Sequence, residues 1–161
     1  AIHGRLHAEV PQARCVLHVH PPYGTAVAAL ADPRILPIDQ NTARYFNRVA
    51  IDLAYGGIAD SDEEGQRIAR CLGTMSRMMM GNHGVLVVAP SVAEAFDDLY
   101  YLERACQTLV LAYSTGRPLN VMADDLAERT ARDWEDYQGA SFAHFAEMKA
   151  ILDEADPDYR A

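Results

Sequence analysis

Two histidines stand two residues apart in the stretch R-C-V-L-H-V-H, Arg14 to His20, which reads as a strand bounded by Pro11 and by Pro21-Pro22. Successive side chains on a strand point to opposite faces, so His18 and His20 project to the same side. Two imidazoles side by side make half of a tetrahedral metal site, and neutral imidazole suits zinc, iron, nickel or copper. A third histidine, His83, lies in the turn Gly81-Asn82-His83-Gly84 between the apolar runs Met78–Met80 and Val85–Ala89. Flanking glycines allow a sharp turn there at no Cβ cost. Three histidines with a fourth position open are the ligand set of a catalytic ion, and no cysteine sits beside them to make a structural one. An isolated H-x-H also fits two exposed or hydrogen-bonded histidines. On spacing alone both readings stand.

The other reactive residue types offer less. His3 and His7 share helical i,i+4 spacing and read as structural or site-lining groups, and His144, between Phe142 and Phe145, reads as a helix-surface or packing residue. Lys149 is the chain's single lysine and lies in a charged stretch. Schiff-base chemistry needs a desolvated lysine near the substrate, so covalent amine catalysis is not expected. Glu9 and Asp39 are carboxylates near the histidines with no feature that ranks them above surface residues.

The elements that must position these groups alternate between period 2 and period 3.6, as in an α/β domain of α+β type. After the first strand, Tyr23–Leu30 is Ala-rich and predicted helical, stopping before Asp32-Pro33. Ile35–Ile38 and Val49–Leu53 are short strand candidates. Ser61–Leu72 reads as a helix, with Ser61 and Glu64 as a capping box and Gly73 as its stop. Ser91–Ser114 is a longer helix with a second box, Ser91 and Glu94, and an apolar stripe of Ala95, Leu99, Leu102, Cys106, Leu109 and Tyr113. Beyond Asn120 the chain is charged and predicted helical in two pieces broken near Gly139.

At 161 residues with half of them apolar, the chain suits one domain over residues 1–161 with a sizeable core. The formal net charge of -9 repels phosphate backbones and disfavours nucleic acid as a partner. No apolar run reaches the ~20 residues of a spanning helix, so no membrane role is expected. Cys15, Cys71 and Cys106 are odd in number and irregular in spacing, which fits reduced thiols and a cytoplasmic location.

The wording around the histidines, H-x(3)-H-A-x-V-P-x-A-x-C-V-L-H-V-H-P-P-Y-G-T-A-V-A-A-L from His3 to Leu30 and M-G-N-H-G-V-L-V-V-A-P-S-V-A-E-A-F-D-D-L-Y-Y-L-E-R-A-C-Q from Met80 to Gln107, resembles the class II aldolase/adducin family. The resemblance implies a central antiparallel sheet flanked by helices, assembled as a homotetramer. It implies a divalent ion, zinc first and Mn, Fe or Co as alternatives, on His18, His20 and His83. It implies a small hydroxy-carbonyl or sugar-type substrate, cleaved in an aldol or decarboxylation sense through a metal-stabilised enediolate. A sugar-phosphate 4-epimerase and a non-catalytic adducin-like interaction module are the alternatives. I-H-G-x-L-H, C-V-L-H, L-P-I-D-Q and L-E-R-A-C resemble the adducin-like branch more than the sugar-phosphate aldolases. Family aldolases carry an acid/base Glu shortly before the position of His3, which falls ahead of Ala1, so the chain is expected to lack the N-terminal portion of the domain. They also use a C-terminal Tyr that reaches a neighbouring subunit. Tyr137 lies at the matching distance, although it also fits packing against Trp134.

Overall fold

A computed structural model describes residues 2–57, 61–137 and 139–160. Four strands, β1 (Cys15–Val19), β2 (Ala50–Asp52), β3 (Arg77–Met80) and β4 (Gly84–Ala89), form one sheet in the order β1-β4-β3-β2. The helices are α1 (Ile2–Glu9), α2 (Pro22–Ala28), α3 (Gln40–Ala43), α4 (Asp62–Leu72), α5 (Val92–Ser114), α6 (Asp124–Asp136) and α7 (Ala140–Ala155), followed by a 3-10 turn at Pro157–Arg160. The expected mixed fold with a helix-flanked sheet is present. β1 pairs antiparallel with β4 and β4 with β3, whereas β2 runs parallel to β3, so the sheet is not antiparallel throughout. A parallel pair needs a crossover, and α4 supplies it between β2 and β3.

β4 is buried along its whole length, which explains why its sequence is a continuous apolar run with no polar alternation. Its residues divide by parity. Leu86 and Val88 join Met78, Met80 and Val16 in a core with Ile2, Leu6, Ile68 and Leu72 of α1 and α4. Val85 and Val87 join Met79 in a second core with Val27 of α2 and Leu102, Cys106 and Leu109 of α5. Each fully buried aliphatic side chain of this kind contributes about 1.5–3 kcal/mol. The sheet is thereby clamped from both sides, and the ends of β1 and β4 are held in fixed relation.

The local signals divide in the same way. Ser61 and Ser91 cap α4 and α5 by accepting from the backbone N–H of Glu64 at 3.2 Å and of Glu94 at 3.3 Å. Glu64 does not complete its box; its carboxylate turns to Arg67 instead. Gly73 and Gly139 have positive φ of 55° and 85°, at the end of α4 and at the break between α6 and α7. Along the expected stripe of α5, Ala95, Leu102, Cys106 and Leu109 are buried, but Tyr113 is exposed. Ile35–Ile38 is no strand. Ile35 is buried as a loop residue, and Asp39 starts α3 as its N-cap in a reciprocal box with Thr42, so the pattern there reflects burial without a ladder. Among the described residues no helix is long and apolar enough to cross a membrane.

Candidate functional site

The end of β1 and the β3–β4 turn meet. His18 is paired with Leu86 across the β1–β4 ladder, and His20 follows the last residue of β1. His83 is the last residue of the turn before β4, with its N–H donating to the Met80 carbonyl at 3.0 Å. That turn is tied on two sides: Gly81 N–H donates to the Asp52 carbonyl at 2.6 Å and Asn82 N–H to the Ala28 carbonyl at 3.2 Å.

The glycines do their work differently from the expectation. Within the turn the left-handed residue is Asn82, at φ 55°, and neither Gly81 nor Gly84 has a positive φ. Gly84 is required by contact: a Cβ there would stand 2.6 Å from both the Val19 carbonyl oxygen and Cδ2 of His20. Absence of a side chain is what lets the turn approach the strand end.

The three imidazoles converge. The Nε2 atoms of His18 and His83 are 3.3 Å apart, those of His20 and His18 are also 3.3 Å apart, and one nitrogen from each ring lies within 4.8 Å of the others. Three nitrogens bound tetrahedrally to one ion at about 2.1 Å would stand about 3.4 Å apart. The donor set therefore fits a divalent cation in spacing and in chemistry. His18 Nδ1 sits 3.0 Å from the Val85 carbonyl, an oxygen that can only accept, so the proton resides on Nδ1 and the Nε2 lone pair is directed into the cluster. Electrostatics favour the same state. Burial holds the His18 ring below the ordinary histidine range, with His83 and His20 adding to the effect and the Val85 hydrogen bond opposing it. Burial, followed by the charge His20 can carry, does the same to His83. Neutral imidazole is the form that binds metal.

Apart from Glu64, which the sequence marks as part of a helix cap, the residues beside the cluster are ones to which it assigns no site role. The Tyr55 ring meets His83 edge-on with centroids 5.7 Å apart. Arg67 grips buried Asp52 through two hydrogen bonds of 2.8 and 2.7 Å and Glu64 through two of 2.7 Å. Asp52 thus anchors, through its carbonyl, the turn that bears His83. Glu103 of α5 accepts from Tyr23 N–H at 2.9 Å and Gly24 N–H at 2.7 Å, immediately after His20. No spacing rule could have flagged Glu103 or Asp52, whose partners are distant in sequence.

Other candidates fall elsewhere. Tyr137 is exposed and packs edge-on against Trp134 with centroids 6.0 Å apart. It lines a cavity of about 1120 Å³ among α3, α5, α6 and α7 that includes none of the three histidines, so within one chain it does not join them. His7 Nδ1 bonds the Ala13 carbonyl at 2.8 Å, a structural role. His144 pairs with Asp97 at 2.8 Å in the same cavity. Glu9 makes a surface pair with Arg5.

Comparison with known proteins fits this geometry. Residues 1–110 match the family described as Class II Aldolase and Adducin N-terminal domain. A Caulobacter vibrioides protein whose name places it among the class 2 aldolases is 36% identical over 81% of this chain and 50% of its own length. Decarboxylase NovR of Streptomyces niveus is 27% identical over 85% of this chain and 53% of its own. The crystal structure of an aldolase II superfamily protein from Pseudomonas syringae superposes with a TM-score of 0.91 at 31% identity, covering 99% of this chain and 64% of that one. The chain spans about half the length of these two curated relatives.

Proposed function

The chain belongs to the class II aldolase and adducin family, and from that premise we propose that it is the metal-bearing part of a carbon–carbon lyase acting on a small hydroxy-carbonyl compound. The observation that carries the reading is the convergence of His18, His20 and His83, with His18 Nε2 3.3 Å from Nε2 of each of the other two and one nitrogen of every ring within 4.8 Å of the others, and no carboxylate among them. Neutral imidazoles that present nitrogen atoms to a common point are the form that binds a divalent ion, and none of the three carries a carboxylate partner there. An interaction module has no need of such a cluster.

A divalent ion held there, zinc before Mn, Fe or Co, would supply Lewis-acid stabilisation of the negative charge that develops on substrate oxygens as a carbon–carbon bond breaks. The chain's own residues do the rest. His18 presents a fixed lone pair because Val85 holds its other nitrogen. His83 is fixed by the turn that Asp52 and Ala28 anchor. Tyr55, half exposed beside His83, stands where a bound small molecule would meet it. Lys149 is exposed on α7 and is not the desolvated lysine that amine catalysis needs. The relatives named as aldolases and as a decarboxylase support cleavage as the reaction class. A catalytic role for Tyr137 requires a neighbouring copy, since its cavity holds none of the three histidines, and the homotetramer implied by the resemblance belongs to the same proposal.

Elemental analysis of chelator-free protein tests this reading, together with assays of retro-aldol and decarboxylation turnover before and after chelator treatment. We expect one ion per chain and turnover that chelator removes and zinc or manganese restores. A metal content near zero that added zinc or manganese does not raise would overturn it.

A further inference from the structure

We infer that Glu103 is a positioning residue for the metal ligand His20, acting through the backbone that follows it; this rests on the reading of the histidine cluster as a metal site. The three ligands are not secured alike. His18 has the Val85 carbonyl on its second nitrogen, and His83 sits in a turn tied by two backbone hydrogen bonds. His20 is exposed, and among the described residues no hydrogen bond holds its Nδ1. Ligating histidines ordinarily have such a partner, which fixes the ring. The His20 ring meets His18, His83 and Gly84 on one side only, so its aim depends also on the main chain.

That main chain enters α2 directly. Pro21 is the N-cap residue of α2, extended at φ -74° and ψ 150°, and has no side chain able to cap the helix. The first backbone donors of a helix need partners, and Glu103 supplies them from α5: its two carboxylate oxygens take Tyr23 N–H at 2.9 Å and Gly24 N–H at 2.7 Å. Carboxylates at a helix N-terminus are further favoured by its dipole. The fit is tight, since a Cβ on Gly24 would lie 2.9 Å from Val85 Cγ1 and 3.2 Å from Glu103 Oε2. One carboxylate thus fastens the residues three and four positions beyond His20 to the long helix, and Pro21 stiffens the link between them. The L-E-R-A-C wording of the sequence thereby acquires a function: its Glu aims a ligand it never touches.

The test compares zinc affinity, by competition with a chromogenic chelator, in wild type, Glu103→Gln and Glu94→Gln. Glu94 lies on the same helix and closes its own cap with Ser91, so its loss lowers stability without reaching the cluster. We expect Glu103→Gln, which can satisfy only one of the two donors, to weaken zinc binding about 10–100-fold, the range for outer partners of ligands. Glu94→Gln should leave affinity within twofold. If Glu103→Gln fails to fold, Glu103→Asp, with both oxygens but one methylene less, should show an intermediate loss. Nitrogen-15 spectra of the histidine rings in metal-free protein give a readout independent of metal: the His20 resonances should shift and broaden in Glu103→Gln while those of His83 stay in place. Zinc affinity within twofold of wild type, or an unmoved His20 ring, overturns the inference. Wild type that takes up no zinc overturns the metal reading instead, leaving the ring spectra to decide whether Glu103 positions His20.

Discussion

Two polar clusters lie in this molecule, and they are built on opposite rules. In the first, three imidazoles that can only acquire positive charge face one another, with His18 Nε2 3.3 Å from that of each neighbour and no opposite charge interposed. In the second, every charge is closed on its complement. Asp97 takes Arg44 at 3.2 Å and His144 at 2.8 Å, and Asp98 takes Arg77 at 2.5 Å. The hydroxyl of Tyr45 donates to the Asp98 backbone oxygen at 3.0 Å, and burial pushes that phenol well above its ordinary range. The Arg44 guanidinium lies 5.2 Å from the centre of the Tyr101 ring and 5.5 Å from that of Trp134. Satisfied charges of this kind join α3, β3, α5 and α7 and ask for no ligand. Nitrogen donors of one type, converging with no carboxylate among them, make the ligand set a divalent cation would take. Local charge balance separates the two, although both are groups of ionisable side chains in contact.

The comparison can be broken most forcefully at His83. Removal of one of the three proposed ligands in His83→Ala should cost more affinity than the about 10–100-fold typical of an outer partner, leaving no ion after gel filtration. The thermal midpoint of the metal-free variant should stay near that of metal-free wild type, because the ring makes no core contact. Retained stoichiometric metal would sink the assignment.

The reverse pattern is expected at Asp98. Asp98→Asn leaves the Arg77 guanidinium largely buried without its counter-charge, a change that typically costs about 3–5 kcal/mol. Urea unfolding should show that loss while metal content stays at wild-type level. Replacing both partners by apolar residues, Arg77→Met with Asp98→Leu, should recover most of it. If the double variant is as unstable as the single one, charge pairing is not what the cluster contributes.

Acid should also separate the histidine cluster from the chain's carboxylate–arginine pairs. His18 and His83 are held below the ordinary histidine value, so below about 6.5 the unfolded chain takes up protons that the folded chain refuses. Stability of the metal-free protein is therefore full above that value and declines as pH falls toward the lowered folded values; protons displace a bound ion over the same range. Carboxylate pairs respond later. Glu128, beside Arg48 and Arg132, is lowered to about 2, so its contribution is present above the usual carboxylate range and disappears only as pH falls through that value. A pH series of thermal midpoints should show two steps, with only the first moved by added zinc.

The smallest effect belongs to Tyr137. Tyr137→Phe should leave metal content unchanged and stability within about 0.5 kcal/mol, as for other exposed positions. A fall of about 10²–10⁴ in kcat with metal intact would place its hydroxyl at the site of a neighbouring copy.

The sequence made one of these clusters visible and concealed the other. His18, His20 and His83 could be read because strand parity and a glycine-flanked turn are local signals. Asp97 and Asp98 could not: on α5 they read as the polar face of an amphipathic helix, and their burial depends on Arg44 and Arg77 arriving from elements far away in sequence. Glu103 was hidden for the same reason. The parallel pairing of β2 with β3 also escaped, since a short apolar strand carries no mark of its neighbour's direction. Even Gly84 was placed in the right turn for the wrong cause, because a close approach between segments cannot be inferred from one of them alone.

The pairing of β1 with β4 carries one more consequence. β1 is the outer strand of the described sheet, held along one edge only. An ion gripping His18 and His20 on one side and His83 on the other would act as a reversible cross-link between segments 65 positions apart. Edge strands are where sheets open first by local fluctuation. Metal occupancy would then set how often β1 detaches. Among Val16 to Val19, the amides that face β4 would exchange with solvent slowly when the site is filled and quickly when it is empty, while those of β3 would report the same protection in both states.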